Sequence, residues 1–305
     1  MRKVINFSIK VVAHTAKVEI LLVFLPQNYR LMQHSINING QLFDLTTPKV
    51  MGIINATPDS FYQQSRTTDS VSTEQRLRQL LDEGAAIIDI GAVSTRPGAS
   101  EVSEAEEMVR LRSCLATVTK AEPQAVLSVD TFRADVARMA VEEYGVAIIN
   151  DISGGIIDKQ MFSTVASLGV PYVLSDEGNH DEGTDIVDSM ILRFARRIEE
   201  LRSLGQKDIL LDPGFGFGKT LDQNYQILTR LDELKVFELP LLIGISRKSM
   251  MHRLLNITPQ QSLNATTAVH SYILSKHCAD ILRVHDVREA VETITIHQKI
   301  KEFDN

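Results

Sequence analysis

From residue 50 onward the chain repeats one pattern eight times: a short apolar run, then a segment with apolar residues every three or four positions. The runs are Val50–Ile54, Ala86–Ile90, Ala125–Val129, Val146–Ile149, Val170–Leu174, Asp208–Leu211, Leu241–Ile245 and Asp280–Val284. Their length and β-branched content suit parallel strands covered on both faces. Helical spacing marks segments such as Thr73–Glu83, Glu104–Lys120, Asp188–Leu204 and Gln260–Lys276, with Gly84 and Gly205 where helix C-caps belong. No linker, charge block or low-complexity stretch interrupts the series. Eight βα units in about 250 residues predict an α/β fold, a single TIM (β/α)8 barrel.

A doubly wound sheet also alternates strand and helix. The polar residues separate the two. Each run is followed at once by a polar or glycine position: Asn55, Gly91, Asp130, Asn150, Asp176, Asp212, Ser246 and His285. A barrel gathers these on its C-terminal rim, where barrel enzymes carry their chemistry. A doubly wound sheet would spread them along a line.

Residues 1–34 stand outside the pattern and are expected to be an N-terminal extension to a domain spanning 35–303. Lys3, Lys10 and Lys17 surround the approach to the apolar run Ile20–Leu25. Glu19 interrupts that approach, and Pro26-Gln27-Asn28 lacks a small-residue cleavage pattern, so no signal peptide is expected. The run is also far short of the ~20 residues that span a bilayer. The domain opens on Ile36–Asp44, which alternates around Gly40 and reads as a small hairpin. With 32 basic against 39 acidic residues, the net charge of −7 gives non-specific nucleic-acid binding no support. Cys114 and Cys278 are too few for a disulfide framework or a four-cysteine zinc site, which fits a reducing, cytoplasmic setting.

Pro213-Gly214-Phe215-Gly216-Phe217-Gly218-Lys219-Thr220 invites comparison with a phosphate-binding loop, but Pro213 stands where a Walker A loop needs its first glycine. A tight glycine-rich βα turn that lets a flat ligand approach the backbone fits better. Asp130, Asn150 and Asp212 end three strands. One such residue alone reads as a helix cap. Three together suit the N–H, NH₂ and carbonyl edge of a pterin or purine, because buried polar edges demand partners. Basic groups follow other strands, in Ser94-Thr95-Arg96-Pro97-Gly98, Ser246-Arg247-Lys248-Ser249 and Arg283-Val284-His285-Asp286. With Asn55 they suit a phosphate or diphosphate. The eight histidines show no zinc-ligand spacing, whereas Mg²⁺ held partly by substrate phosphates needs few protein ligands. No Cys–His or G-x-S-x-G arrangement suggests a covalent nucleophile.

In order, Asn55-Ala56-Thr57-Pro58-Asp59-Ser60-Phe61, Ser94–Gly98, Ser128-Val129-Asp130-Thr131, Ile149-Asn150-Asp151, Asp212–Lys219, Ser246–Ser249 and Arg283–Val287 closely resemble the motifs of the dihydropteroate synthase family. The resemblance runs over about residues 36–300. It implies a pterin site held by Asp130, Asn150, Asp212 and Lys248, and a diphosphate and Mg²⁺ site at Asn55, Arg283 and His285. It also implies a p-aminobenzoate site shaped by Phe61, Thr95, Arg96, Pro97, Phe217 and Ser249, partly from two mobile loops, and a homodimer. The implied reaction displaces diphosphate from the pterin methylene carbon and joins that carbon to the p-aminobenzoate amine.

Three departures stand out. Most family members follow the fifth strand with Met-His-Met-x-Gly-x-Pro, whose first Met packs on the pterin. Here Leu174 runs into Ser175-Asp176-Glu177-Gly178-Asn179-His180-Asp181-Glu182-Gly183. Gln63 replaces an acid common two residues after Phe61, and Ala92-Val93 replaces Gly-Glu. Acids at 176, 177, 181 and 182 would repel an anionic substrate unless they face away or recruit Mg²⁺. On that ground the alternative is a diverged paralogue that binds pterin with weak or no synthase activity. A pterin-dependent methyltransferase is a third reading, but methyl transfer has no use for a diphosphate pocket.

Overall fold

The computed structural model describes residues 34–56, 70–93, 102–178 and 184–303 in full, and 6–14 and 17–25 as strands only. β1 (Asn6–His14) and β2 (Lys17–Leu25) form an antiparallel hairpin. β3 (Ser35–Ile38) and β4 (Gln41–Asp44) form a second, turning at Asn39-Gly40 with φ of 51° and 83°. Two successive left-handed residues make the turn whose twist matches paired strands, which is why Asn-Gly sits there.

Eight parallel strands follow: β5 (Lys49–Asn55), β6 (Ile87–Gly91), β7 (Leu127–Asp130), β8 (Ile148–Asp151), β9 (Tyr172–Ser175), β10 (Ile209–Asp212), β11 (Leu242–Ile243) and β12 (Ile281–Val284). They pair in the order β10-β9-β8-β7-β6-β5-β12-β11. A parallel bridge between Leu211 and Leu241 joins the two ends, so the sheet closes on itself. This is the expected TIM barrel. Every strand lies within a residue or two of its apolar run.

The outer layer comprises α1 (Ser70–Asp82), α2 (Glu104–Ala121), α3 (Ala134–Tyr144), α4 (Met161–Leu168), α5 (Ile186–Ser203), α6 (Leu221–Thr229), α7 (Ser249–Leu255), α8 (Leu263–Ser275) and α9 (Val287–Lys301). Side chains cap the starts of three of them: Ser103 accepts from Glu106 N, Asp185 from Val187 N and Asp188 N, and Thr220 forms a capping box with Gln223. Gly84 and Gly205 follow α1 and α5 with φ of 99° and 93°, as their C-cap reading requires.

Strand parity decides what faces inward. Met51, Ile87, Ile148, Val173, Leu210, Leu242 and Ile281 form a buried layer with Ile36, Ile38 and Leu45 of the β3–β4 region. The hairpin therefore plugs the N-terminal end of the barrel. Residues of the opposite parity, such as Ile54, Ile88, Val129, Ile149, Leu174, Leu211 and Ile243, join the core between strands and helices. At Gly52 a Cβ would come 3.0 Å from both Leu80 Cδ2 and Val287 Cγ2, so α1 and α9 pack directly on β5 backbone.

The apolar layer is what seals the barrel floor. Ile148→Ala, at a fully buried position, is expected to cost about 3 kcal/mol of stability. Urea unfolding followed by circular dichroism measures it.

Candidate active site

Two or four residues above most of the floor residues, the same parity turns polar. Met51 leads to Asn55, Ile87 to Asp89, Ile148 to Asn150, Val173 to Ser175, Leu210 to Asp212, and Ile281 to Arg283 and His285. On β7 the lumen positions are Ser128 and Asp130. Side chains from seven separate places in sequence thereby share one cavity mouth.

At its centre lies a buried ion cluster. Arg283 Nε donates to Asp89 Oδ2 at 2.6 Å, and its Nη2 donates to Asp130 Oδ2 at 2.6 Å. Asp89 also accepts from Ser128 Oγ at 2.6 Å and from Asn150 Nδ2 at 3.2 Å, and is fully sealed from solvent. Asp130 faces the mouth with 25% of its side chain exposed. Burial pushes its carboxyl up to about 7, against the pull of Arg283 and with help from Asp89, Asp151 and Glu107. Arg283 stays charged: burial opposes the charge, but Asp89 and Asp130 outweigh it and raise its pKa above the usual value.

Lys248 closes the cluster from the other side. Its Nζ hydrogen-bonds the Phe215 carbonyl and stands 3.9 Å from the centroid of the Phe217 ring. Burial is the main reason its ammonium is pushed down to about 7; Arg283 and Lys219 add to that, while Asp212 and Asp130 oppose it. Asp212 anchors its own loop by accepting from Gly214 N at 2.8 Å. Gly91 and Gly244 lie beside the acids: a Cβ at Gly91 would rest in ordinary contact 3.5 Å from Asp130 Cβ, and one at Gly244 3.5 Å from Asp212 Oδ2.

His285 shares the lumen side of Arg283. Its Nδ1 lies 3.2 Å from Ser246 Oγ. Burial and the charges of Arg283, Arg247, Arg76 and Lys248 push the imidazole down to about 3, so it is neutral at physiological pH. Beneath it the buried Arg76 of α1 donates to the His285 carbonyl at 2.8 Å. Asn55 ends β5 on the same rim, and Ser249 opens α7.

Arg247 does not join Arg283 and His285. Its guanidinium pairs with Asp286 at 2.7 and 2.8 Å and donates to the carbonyls of Pro259 and Gln260. It alternates with Ser246, so parity carries it out of the lumen.

Asp176 is likewise one position too late to face the lumen. Ser175 takes the lumen place, and Asp176 turns outward, sealed from solvent between Arg193 at 2.7 and 3.0 Å and Lys219 at 3.3 Å. Burial works against its charge, but Arg193 and Lys219 win and hold the carboxyl below its ordinary value. Its charge is neutralised within the wall. Glu177, also feared as a repellent, is pushed up chiefly by burial. Asp181 and Glu182 lie outside the described residues, as do Phe61, Gln63, Thr95, Arg96 and Pro97.

Three residues escaped the sequence reading. Asp89 is a charge inside an otherwise apolar run, on the parity of Ile87, and that was a readable signal. Lys219 reads only as the end of the Asp212–Lys219 motif, with no partner assigned, and Arg76 gives no signal, since an arginine in a helix is ordinary. Among the described residues no three His, Cys, Asp or Glu side chains group to hold a metal ion, and no helix is long and apolar enough to cross a membrane.

A family model described as "Pterin binding enzyme" matches residues 51–285. Dihydropteroate synthase of Escherichia coli (strain K12) is 37% identical over 267 residues, which cover 84% of this chain and 93% of the relative. The chain belongs to the dihydropteroate synthase family. Solved structures of the family agree in shape. Dihydropteroate synthase of Yersinia pestis in a sulfonamide drug complex superposes with a TM-score of 0.81 at 38% identity, covering 88% of this chain and 100% of that one. The Coxiella burnetii enzyme in complex with pteroic acid gives 0.80 at 32% identity, covering 88% and 99%.

In this member of the family Lys248 trades stability for its place in the site. An ammonium whose pKa falls from 10.5 to about 7 on folding carries its full penalty below pH 7 and loses it towards pH 10.5. Lys248→Met should therefore gain roughly 2 kcal/mol near pH 6.5, about half of what the shift alone implies, because Met forfeits the ring and carbonyl contacts. The gain should shrink at high pH, as thermal melts at both pH values would show.

Proposed function

We propose that this chain condenses 6-hydroxymethyl-7,8-dihydropterin diphosphate with p-aminobenzoate to give 7,8-dihydropteroate and diphosphate. One observation carries the reading: carboxylates and a carboxamide suited to a pterin edge share a lumen with a strand end that carries the cationic Arg283 and the neutral His285. Family membership supplies the substrate class.

Asp130, Asn150 and Asp212 would accept and donate along the pterin edge, with Lys248 at the ring and the Phe215–Phe217 turn as a wall. The diphosphate would lie towards Arg283, the neutral His285 as a hydrogen-bond partner, and Asn55. Phe61, Thr95, Arg96, Pro97, Phe217 and Ser249 would shape the p-aminobenzoate place, where sulfonamides of similar shape compete.

The methylene carbon–oxygen bond breaks with its electron pair going to the diphosphate. The cation left behind spreads into the pterin, balanced by Asp130 and Asp212. The arylamine lone pair then forms the carbon–nitrogen bond and the amine loses a proton. An arylamine is already nucleophilic, so orientation outweighs base strength. The donor set fits Mg²⁺: an oxygen from Asn55 joined by diphosphate oxygens and water suits an ion that keeps few protein ligands. When bound, Mg²⁺ would offset charge on the departing diphosphate.

The reading of a binding-only paralogue rested on acids facing the substrate. Asp176 does not face it, which favours the synthase. The enzyme is proposed to act as a cytoplasmic homodimer; its two cysteines are buried and unpaired, as suits a reducing setting.

A coupled assay for diphosphate release with both substrates tests the reaction. Asp130 must be ionised to accept ring N–H groups and Lys248 protonated to bind, and both sit at about 7. The kcat/KM profile for the pterin substrate should be a narrow bell around neutral pH. Asp130→Asn should lower kcat/KM about 100-fold or more and erase the acid limb. Absent release by the wild type with both substrates and Mg²⁺ would refute the synthase.

A further inference from the structure

The loop after β10 is docked on the end of β9 through bare backbone. A Cβ on Gly214 would come 1.9 Å from the Asp176 carbonyl, one on Gly178 would come 2.5 Å from the Phe217 carbonyl, and one on Gly218 would come 2.7 Å from the Glu177 carbonyl. All three glycines have positive φ. No Cβ fits at these three positions, so there the two loops meet through their peptide groups.

One buried ammonium pins this contact. Lys219 Nζ donates to the carbonyls of Asp176 at 2.6 Å, Gly214 at 3.0 Å and Phe217 at 3.3 Å, and stands 3.3 Å from the Asp176 carboxylate. Its side chain and that of Asp176 are both fully sealed. Arg193 of α5 grips the far side of the same carboxylate, and Arg197, one turn on, donates to the Ser175 carbonyl at 3.2 Å. The loop so pinned presents two groups to Lys248: the Phe215 carbonyl and the Phe217 ring.

We propose that Lys219 and Asp176 are positioning residues of the reaction: their buried pair fixes the loop 213–219 on β9 and so sets where the Lys248 ammonium stands against the substrate ring. Neither needs to touch substrate. The acid that follows the fifth strand is then a built counter-ion for the loop. The inference deepens the proposed synthase reading and rests on it for its kinetic consequence alone.

Charges facing the groups involved are Asp176, Asp212 and Arg193 around Lys219, and Asp212, Asp130, Arg283 and Lys219 around Lys248. Removing Lys219 takes away a cation that depresses the Lys248 pKa and frees the loop that buries it. Both changes push Lys248 towards its ordinary value.

The test uses full-length protein with ¹³Cε-labelled lysine, the Lys248 resonance being assigned by its loss in Lys248→Met. Wild-type Lys248 should titrate near pH 7, and in Lys219→Met about one pH unit or more higher. Pterin diphosphate affinity by calorimetry should fall about tenfold or more. A folded Lys219→Met whose Lys248 titrates as in the wild type overturns the proposal, whatever the enzyme's activity, because no substrate is involved. Loss of affinity with that titration unmoved also counts against it. Should Lys219→Met fail to fold, Asp176→Asn takes its place, with hydrogen exchange as readout. Faster exchange confined to residues 214–218 supports the pairing, and unchanged exchange there refutes it.

Discussion

Arg283 is held inside the barrel by two carboxylates, and the rest of the site is arranged around that fact. Taking a guanidinium out of water costs several kcal/mol unless fixed charges replace the lost hydration. Asp89, sealed beneath, and Asp130, open above, supply them through two bonds of 2.6 Å. Two acids on one base leave an excess negative charge, which the low-dielectric lumen tolerates poorly. The excess is relieved by the proton affinity of Asp130 and by Lys248 opposite.

The barrel divides its labour along its axis. Its floor is an apolar layer closed by the β3–β4 hairpin, and this layer stabilises the closed sheet without any polar group to satisfy. The mouth carries charges whose burial costs stability, as at Lys248. The loop after β10 links the two regimes. Glycines let it lie against β9, and the Lys219–Asp176 pair converts an awkward buried acid into a clamp.

Much of this is legible in the amino-acid sequence. The eight apolar runs gave the barrel, and the polar residue after each gave Asn55, Asp130, Asn150, Asp212 and His285 their places. Errors arose where position was counted from the end of a run and not by parity. The fifth run ends on an outward residue, Leu174, so the lumen place fell to Ser175 and Asp176 turned away. The same alternation sent Arg247 outward to Asp286 and hid Asp89 within what read as an apolar strand. The partners of Lys219 were beyond sequence reasoning for another reason. They are mostly backbone carbonyls, and no residue pattern announces those.

Arg283 should depend on its bridge to Asp89 to hold the substrate anion, and a double-mutant cycle on pterin diphosphate affinity measures that dependence. Calorimetry would compare the wild type, Asp89→Asn, Arg283→Met and the double variant. The expected result is strong coupling: Asp89→Asn weakens binding about tenfold or more in the wild type and scarcely at all once Arg283 is gone. Equal losses in both backgrounds would contradict the bridge as the organising interaction of the site.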